Sequence, residues 1–341
     1  MRLELSRGSV TDCTFTGNWT TGDVIKGGVG AAVGGAVYAA SATTAFTDCT
    51  FIGNSATNSL GGGIFNAGNS LSTITGCVFA GNSAEAGGGM FNVDNSATVK
   101  NCLFPNNQAN VGGGLLNQFN NDGPVSDCTF IGNDGGDAGG GLVSFDGNGT
   151  ISNCQFLGNT ATSAGGGILN SAGGNVTIVN CLIAGNFSGD GGGGMDPNIG
   201  GGGVATGYGS FPTLINCTIA NNTSAVQGGG IATLGIGAPS ATTVVNCVVW
   251  DNTGGQVDND PGAATNVSYS IVEGGYFGTG NLDADPLFVD QANDSYQLSP
   301  GSPCIDAGET IARLALHRCR RQRGRAGGND NRSRRQPAIC R

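Results

Sequence analysis

The sequence predicts an all-β fold, a parallel β-helix in which the chain winds through nine to ten coils of about 26 residues. Three observations lead to this prediction. A cysteine, an apolar residue and an asparagine recur at fixed spacing, a glycine triplet precedes an apolar segment in most repeats, and a third short β-prone segment closes each repeat. Repetition of one supersecondary unit is typical of solenoids, in which each unit packs on its neighbours.

The first segment of each repeat reads Cys-x-(Phe/Ile/Val)-x-x-Asn. Asp, Asn or Gly precedes each cysteine, and the pair four and five places after it is Gly-Asn, Asn-Asn or Asp-Asn. These residues tolerate a left-handed backbone, so a bend is predicted on each side of a short strand. The cysteine and the apolar residue face the same way on that strand. The pattern occurs nine times, at Cys13, Cys49, Cys77, Cys102, Cys128, Cys154, Cys181, Cys217 and Cys247.

The second segment follows the glycine triplet and the third leads back to the next bend. Good copies of the second are "GGGIFN" (61–66), "GGGMFN" (87–92), "GGGLLN" (112–117), "GGGLVS" (139–144) and "GGGILN" (165–170), and poorer ones are "GGAVYA" (34–39), "GGGMDP" (192–197) and "GGGIAT" (228–233). The third includes "STIT" (72–75), "ATVK" (97–100) and "VTIV" (176–179). Three strands make one coil, with nine full coils and a partial tenth around Tyr269 and Ile271.

Equivalent residues of stacked coils lie above one another, which assigns a structural role to each column of side chains. We expect the Phe and Ile column to fill the core and the cysteine column to form a stack of buried thiols. The asparagine column, from Asn18 to Asn252, should pass amide hydrogen bonds from coil to coil.

These repeats resemble those of right-handed parallel β-helix proteins of the polymorphic outer-membrane protein type, with their GGA(I/L/V) and FxxN motifs, over residues 10–255. The end, "NLDADPLFVD" (281–290) with "YQLSPGSPCIDAG" (296–308), resembles the closing module known as choice-of-anchor Q. The resemblance implies a right-handed, pectate-lyase-like solenoid at a bacterial cell surface or secreted from the cell. We predict β-helix repeats over 1–255, the closing module over 256–308 and an arginine-rich tail over 309–341.

Charge is divided unevenly between the body and this tail. Residues 1–308 hold 22 acids and four bases, a net −18, whereas residues 309–341 hold two acids and ten Arg, a net +8, which together give −10. A body this acidic predicts no nucleic-acid partner. The tail is expected to be frameshifted or disordered, with a basic arm for anionic partners as the alternative. No secretory signal opens the chain, so we expect a start assigned too late. No membrane span is predicted.

Several residues invite a site interpretation, but none is predicted to be catalytic, cofactor-binding or metal-binding. The cysteines lie too far apart for a zinc site, and His317 is the only histidine. The spacing "GVGAAVG" (28–34) with Asp48 resembles a dinucleotide fingerprint, yet both parts belong to the repeat. The acidic clusters "VDND" (257–260) and "DPLFVD" (285–290) leave weak Ca²⁺ binding open, and no other cofactor is expected.

Two functions are compatible with the sequence. The first is a secreted or surface rod that binds glycans or proteins, and the second is a polysaccharide lyase or hydrolase, which needs convergent carboxylates and often a basic residue. Residues 8–312 contain no Arg and only Lys26 and Lys100, which disfavours the enzyme, and the stacked Asp12 and Asp48 occupy a bend position.

A catalytic site, if one exists, is expected in the two long turns. These run from Asn18 to Gly34 and from Met195 to Pro212, the second with Asp190 and Asp196 beside it. An enzyme should bring three or more carboxylates into one groove. A rod should instead place Asn, Ser, Thr and Gly there.

Overall fold

The computed structural model describes residues 3–4, 7–21, 33–40, 43–68, 71–191, 200–293 and 295–305. Three sheets of ten strands each run along the axis, and all neighbouring strands within these sheets are parallel. Each coil adds one strand to sheet A, then one to sheet B and one to sheet C. The predicted all-β parallel β-helix and its three-strand coil are confirmed.

The strands of the three sheets are short. Sheet A contains Leu3–Glu4, Val37–Ala40, Ile64–Ala67, Met90–Val93, Leu115–Gln118, Leu142–Phe145, Ile168–Ser171, Val204–Thr206, Ile231–Thr233 and Val257–Asn259. Sheet B contains Arg7–Thr11, Thr43–Thr47, Thr73–Thr75, Thr98–Lys100, Val125–Ser126, Thr150–Ser152, Thr177–Val179, Thr213–Ile215, Ala241–Val245 and Ala264–Ser268. Sheet C contains Thr14–Thr16, Thr50–Ile52, Val78–Ala80, Leu103–Pro105, Thr129–Ile131, Gln155–Leu157, Leu182–Ala184, Thr218–Ala220, Val248–Trp250 and Ile271–Val272.

Smaller elements lie between sheets C and A and at the end of the helix. Two three-stranded sheets follow sheet C, formed by Trp19–Thr21, Ser55–Leu60 and Ser83–Ala86 and by Thr160–Ala161, Phe187–Ser188 and Thr223–Ser224. An antiparallel hairpin, Phe288–Asp290 with Ser295–Leu298, contains the 3-10 segment Gln291–Asn293 between its strands. Tyr296 packs on Leu182 and Ala220, so the hairpin covers part of the outer face of sheet C.

Both predicted bends of the repeat are present in every coil that carries the motif. The residue before each of the nine cysteines has φ between 52° and 68°, for example Asp12 and Gly76. The residue four places after each cysteine has φ between 53° and 64°, for example Gly53 and Asn221. Asn, Asp and Gly hold this left-handed conformation at little cost, which explains why those three types recur there.

The core is built from columns of identical or similar side chains. The rings of Phe15, Phe51, Phe79, Phe104, Phe130 and Phe156 stack with centroids 4.7–4.8 Å apart and interplanar angles of 1–8°. Ile183, Ile219 and Val249 continue the same column and are fully buried. Burial of each such side chain contributes roughly 1.5–3 kcal/mol. The predicted Phe and Ile core is confirmed.

A second apolar cluster lies on the other face of sheet A. Phe65 and Phe91 stack there with ring centroids 5.3 Å apart, and the cluster continues through Leu116 and Val143. Residues that precede the glycine triplets, such as Leu60, pack against it. Both faces of sheet A are therefore buried, and the sequence analysis did not anticipate this second core.

The predicted asparagine ladder is continuous over eight links from Asn18 to Asn252. Asn107 shows how each member is satisfied. Its Nδ2 donates to Phe79 O at 2.7 Å and Asn133 Oδ1 at 3.0 Å, while its Oδ1 accepts from the backbone N (3.0 Å) and Nδ2 (2.9 Å) of Asn82. All four amide interactions are made in the interior, where an unpaired polar group is costly.

The ladder ends on a different residue type. Gln256 Oε1 accepts from Asn252 Nδ2 at 2.6 Å, and Gln256 Nε2 donates to Glu273 Oε2 at 2.7 Å. Glu273 Oε2 also accepts from the backbone N of Asp251 at 2.8 Å. A glutamine and a glutamate thus satisfy the last amide of the column.

One repeat was assigned wrongly from the sequence. "GGGMDP" (192–197) was expected to be the seventh copy of the glycine segment, but the strand that pairs with Ile168–Ser171 is Val204–Thr206. The triplet in register is Gly201–Gly203, whose first member has φ 86°. Two glycine-rich runs lie within a few residues of each other, and the second is the one in register with the neighbouring coils. Residues 192–199 lie outside the described residues.

Removal of one amide from the ladder should destabilise the whole helix. We expect Asn133→Ala to lower the free energy of unfolding by about 3 kcal/mol or more, because it leaves buried donors and acceptors on two neighbouring coils without partners. Urea denaturation followed by circular dichroism measures the change. The control Asn110→Ala removes an exposed amide that bonds Glu85 and should shift the midpoint little. Equal midpoints for the two variants would contradict the role given to the ladder.

Candidate functional site

The cysteine column is part of the core. The eight thiols from Cys49 to Cys247 are buried, and each Sγ donates to the backbone carbonyl two residues earlier, as from Cys128 to Ser126 O at 3.1 Å. Burial raises the pKa of the Cys49 and Cys181 thiols. Within the described ranges no three His, Cys, Asp or Glu side chains come together as metal ligands.

The rate of thiol alkylation should differ between the exposed end of this column and its interior. We expect the exposed Cys13 to be alkylated in the native protein, whereas Cys49 to Cys247 stay unmodified even at mildly alkaline pH. The buried thiols lack access to the reagent, and the raised pKa of Cys49 and Cys181 also keeps those two protonated as pH rises. Peptide mass spectrometry after iodoacetamide treatment measures this, with guanidinium-unfolded protein as the fully labelled reference. Native labelling of Cys181 as fast as that of Cys13 would refute the assignment.

The glycine triplets serve packing and are not phosphate cradles. The first glycine of each has φ between 60° and 86°, as at Gly61 and Gly112. At the second and third glycines, a Cβ would lie less than 3.0 Å from a main-chain oxygen of the next coil. The triplet therefore allows the entry to sheet A to stack closely on its neighbours, because glycine has no side chain to keep the backbones apart. Gly34 and Asp48 of the dinucleotide-like spacing likewise occupy a triplet and a bend.

A single methyl group at the middle of a triplet should be poorly tolerated. In Gly113→Ala the new Cβ would press on Asp134 O and Gly140 O, and we expect a loss of about 2 kcal/mol or more in unfolding free energy. The control is Gly158→Asn, because nothing lies within 4 Å of a Cβ at Gly158 and Asn106 occupies the same bend in another coil. Thermal and urea unfolding of both variants measure the difference. A neutral Gly113→Ala would show that the coils are not closely packed there.

The acidic residues singled out from the sequence serve mainly as hydrogen-bond acceptors. Asp258 Oδ2 accepts from Gly228 N at 2.7 Å, and Asp285 Oδ1 accepts from Leu287 N at 2.8 Å. Asp290 Oδ2 accepts from Asn293 Nδ2 at 2.8 Å. Asp12 and Asp48 do lie on adjacent coils as expected, both exposed, with Gly76 next in the column. The weak Ca²⁺ binding proposed for 257–260 and 285–290 stays a prediction.

The two long turns fall mostly outside the described residues. Residues 22–32 of the first turn, and 192–199 with Asp196 of the second, are not described. Asp190 is described and is exposed. Because Gly201–Gly203 is the seventh glycine segment, the second insertion lies between Ser188 and Gly200, earlier than predicted.

The most site-like surface among the described residues follows the edge where sheet A turns into sheet B, here called the A–B corner. An open cleft of about 300 Å³ lies on it, lined by Leu71, Asp94, Asn95, Ser96 and Asn120. Asp94 Oδ1 accepts from Asn120 Nδ2 at 3.3 Å. Asn95 is buried beneath and donates to Asn66 O at 2.8 Å. The cleft therefore presents one carboxylate among amides and a hydroxyl.

Polar ladders continue along the same corner. Asp122 Oδ1 accepts from Asn148 N at 2.9 Å, and Asn175 Nδ2 donates to Asn148 Oδ1 at 3.1 Å. Beside them, the outer face of sheet B carries a column of threonines at 73, 98, 150, 177, 213 and 243, interrupted by Pro124 between Thr98 and Thr150. Asn, Ser and Thr side chains therefore occupy much of this open surface. None of the residues that line the cleft was predicted from the sequence to belong to a site.

The family of the chain follows from its sequence as well as its coils. The model of the right-handed beta helix region matches residues 3–183 and 137–279. The chain belongs to this right-handed β-helix family, and the predicted right-handed solenoid is confirmed. The finer resemblance, to the polymorphic outer-membrane protein type with a choice-of-anchor module, stays a prediction.

Other comparisons add little beyond the fold. The crystal structure of pectate lyase Pel9A is similar with a TM-score of 0.36 and 14% identity, covering 90% of this chain and 83% of that chain. Similarity at that level supports no argument about activity. No curated protein matches the chain. Among the described residues, no helix is long and apolar enough to cross a bilayer.

Proposed function

We propose that this protein is a bacterial surface or secreted rod of the polymorphic outer-membrane protein type. Its role is adhesion or display, in which the long outer faces bind surface glycans or proteins without catalysis. Residues 256–308 form a closing module of the choice-of-anchor Q type in this proposal. The location outside the cell rests on the resemblance of the repeats and of the closing segment.

The observation that carries the proposal is the composition of the A–B corner. Its cleft holds the single carboxylate Asp94 beside Asn95, Ser96 and Asn120, where a polysaccharide-cleaving enzyme would need several convergent acids. Lys100 is the one basic side chain in the described residues from 8 to 305. General-base chemistry by Arg or Lys therefore has almost no candidate on this surface.

Charge also favours one kind of partner. The net −18 of residues 1–308 repels nucleic acid and anionic polymers over about 10 Å at moderate ionic strength. Neutral glycans and protein surfaces with basic patches are not repelled in this way. An enzyme acting on acidic polysaccharides would need a basic surface to collect its substrate.

Activity assays distinguish the rod from the enzyme. We expect no turnover when the full chain is incubated with a panel of neutral and acidic polysaccharides, measured as new reducing ends and as absorbance of unsaturated products. The same preparation should be retained on at least one immobilised glycan or bacterial surface protein, and heat-unfolded protein should not. Cleavage of any panel member that is abolished by unfolding would overturn the non-catalytic proposal.

A further inference from the structure

Three of the six exposed aromatic side chains among the described residues lie on the A–B corner. Phe119, Tyr208 and Phe211 are 45%, 37% and 53% exposed, and all three lie between a strand of sheet A and the following strand of sheet B. Aromatic rings usually bury their area or bind a partner, because their apolar faces gain most from leaving water. Packing within the rod therefore does not account for the exposed aromatic rings at this corner.

We propose that the corner binds one chain of an uncharged polysaccharide laid parallel to the helix axis. This inference rests on the proposed glycan-binding role and specifies its site and ligand class. The surface is here called the corner groove and comprises Phe119, Asp146, Asn148, Asn175, Tyr208 and Phe211.

Register places these residues in two neighbouring rows. Pairing of Thr150 with Thr177, and of Thr177 with Thr213, puts Asn148, Asn175 and Phe211 in one row on consecutive coils. The second row contains the bend residues beside the first row. In it, Phe119 lies one coil before Asp146, and Tyr208 lies two coils after Asp146. Aromatic rings therefore stand at both ends, with two coils of polar or small residues between them.

The far end of the groove is a built platform. The Tyr208 ring lies against Gly237 of the next coil, where a Cβ would be 2.9 Å from Cδ1 of the ring. Glycine at that position lets the ring lie close to the backbone. Phe119 and Tyr208 also have φ of 48° and 54°, a conformation held at the equivalent position of other coils by Gly68, Asp94, Asp146 and Ala172. Aromatic residues are held there at a cost in backbone energy.

The middle of the groove offers hydrogen bonds suited to hydroxyl groups. Asn175 Nδ2 donates to Asn148 Oδ1 at 3.1 Å and to Gly173 O at 3.1 Å, which uses both of its amide hydrogens. Asn175 Oδ1 and Asn148 Nδ2 stay available as an acceptor and a donor on exposed side chains. A sugar hydroxyl can both donate and accept, so it matches this pair.

Charge and length limit the ligand further. Asp94, Asp122 and Asp146 line the corner and disfavour a polyanion such as polygalacturonate. The rings at the two ends are three coils apart, about 14 Å at the spacing of neighbouring strands. A pyranose unit extends about as far along its chain as one coil rises, so about three sugar units span the groove.

Loss of the rings should therefore weaken binding of neutral glycans specifically. The probes are β-1,4-glucan, β-1,3-glucan and mannan oligosaccharides of two to six units, with polygalacturonate oligomers as the anionic comparison. In titration calorimetry the wild type should bind one neutral series, with affinity rising up to about three or four units. The double variant Tyr208→Ala/Phe211→Ala should lose about tenfold or more in affinity.

Controls separate the site from the rod as a whole. Phe187→Ala removes a ring of 42% exposure on the side between sheets C and A and should leave affinity within about twofold. Phe211→Tyr should retain binding, and unfolding midpoints should match in all variants.

The results distinguish the corner groove from the wider surface-binding role. Wild-type binding to neutral glycans that survives the double variant would overturn the corner groove but leave the surface-binding role intact. Tighter binding of the polyanion, or no binding to any neutral series, would overturn the ligand class. Retention on a bacterial surface protein alone would then support the wider role without this site.

Discussion

The asparagine ladder is the interaction on which the rest of the structure depends. Each Asn side chain donates to one coil and to the carbonyl of another, so a single residue type connects three consecutive coils, as Asn107 does with Phe79, Asn82 and Asn133. Each ladder contact is a directional bond in a water-free interior, where a slip of one residue would leave several buried groups unpaired. The ladder therefore sets the register of each coil on the next. The Phe stack, the Cys column and the glycine triplets all follow from that register.

Close stacking also explains why motifs that resemble active sites are structural. Cys, Asn and Gly are frequent in catalytic loops because they are reactive or conformationally permissive, and here the same properties serve packing. A thiol fills a small buried space and donates weakly to a bend carbonyl, and a glycine lets two backbones approach within van der Waals distance. Function is left to the outward-facing positions. Stacking of the coils repeats the backbone at these positions but does not restrict the type of residue there. Phe119 and Tyr208 stand out because their column otherwise holds Gly, Asp and Ala, and Phe211 stands out because Asn148 and Asn175 precede it in its row.

Much of the fold could be read from the sequence because its information is local and repeated. Asp12 to Asn18 contains two bends and one strand, and eight further copies carry the same pattern, so the coil, both bends, the Phe column and the ladder were all predicted. The error at "GGGMDP" (192–197) arose where two glycine runs lie near each other and local pattern cannot choose between them. The second apolar cluster around Phe65 and Phe91 was missed for a related reason, since alternation along a strand does not reveal what covers its outer face. The corner groove had no motif, because its members lie about 25 residues apart in the chain.

The amino-acid sequence by itself therefore determined the coil, its core and its hydrogen-bonded ladder, because each depends on spacing within one repeat. Only the tertiary structure decided which residues of different coils share a surface. The terminal hairpin covers Leu182 and Ala220 of sheet C while the A–B corner stays open, and neither outcome follows from any single repeat. Stacking brings residues from separate coils to within one strand spacing of each other, about 4.8 Å. The outer surface, where binding takes place, thus depends on contacts between coils that are distant in the chain.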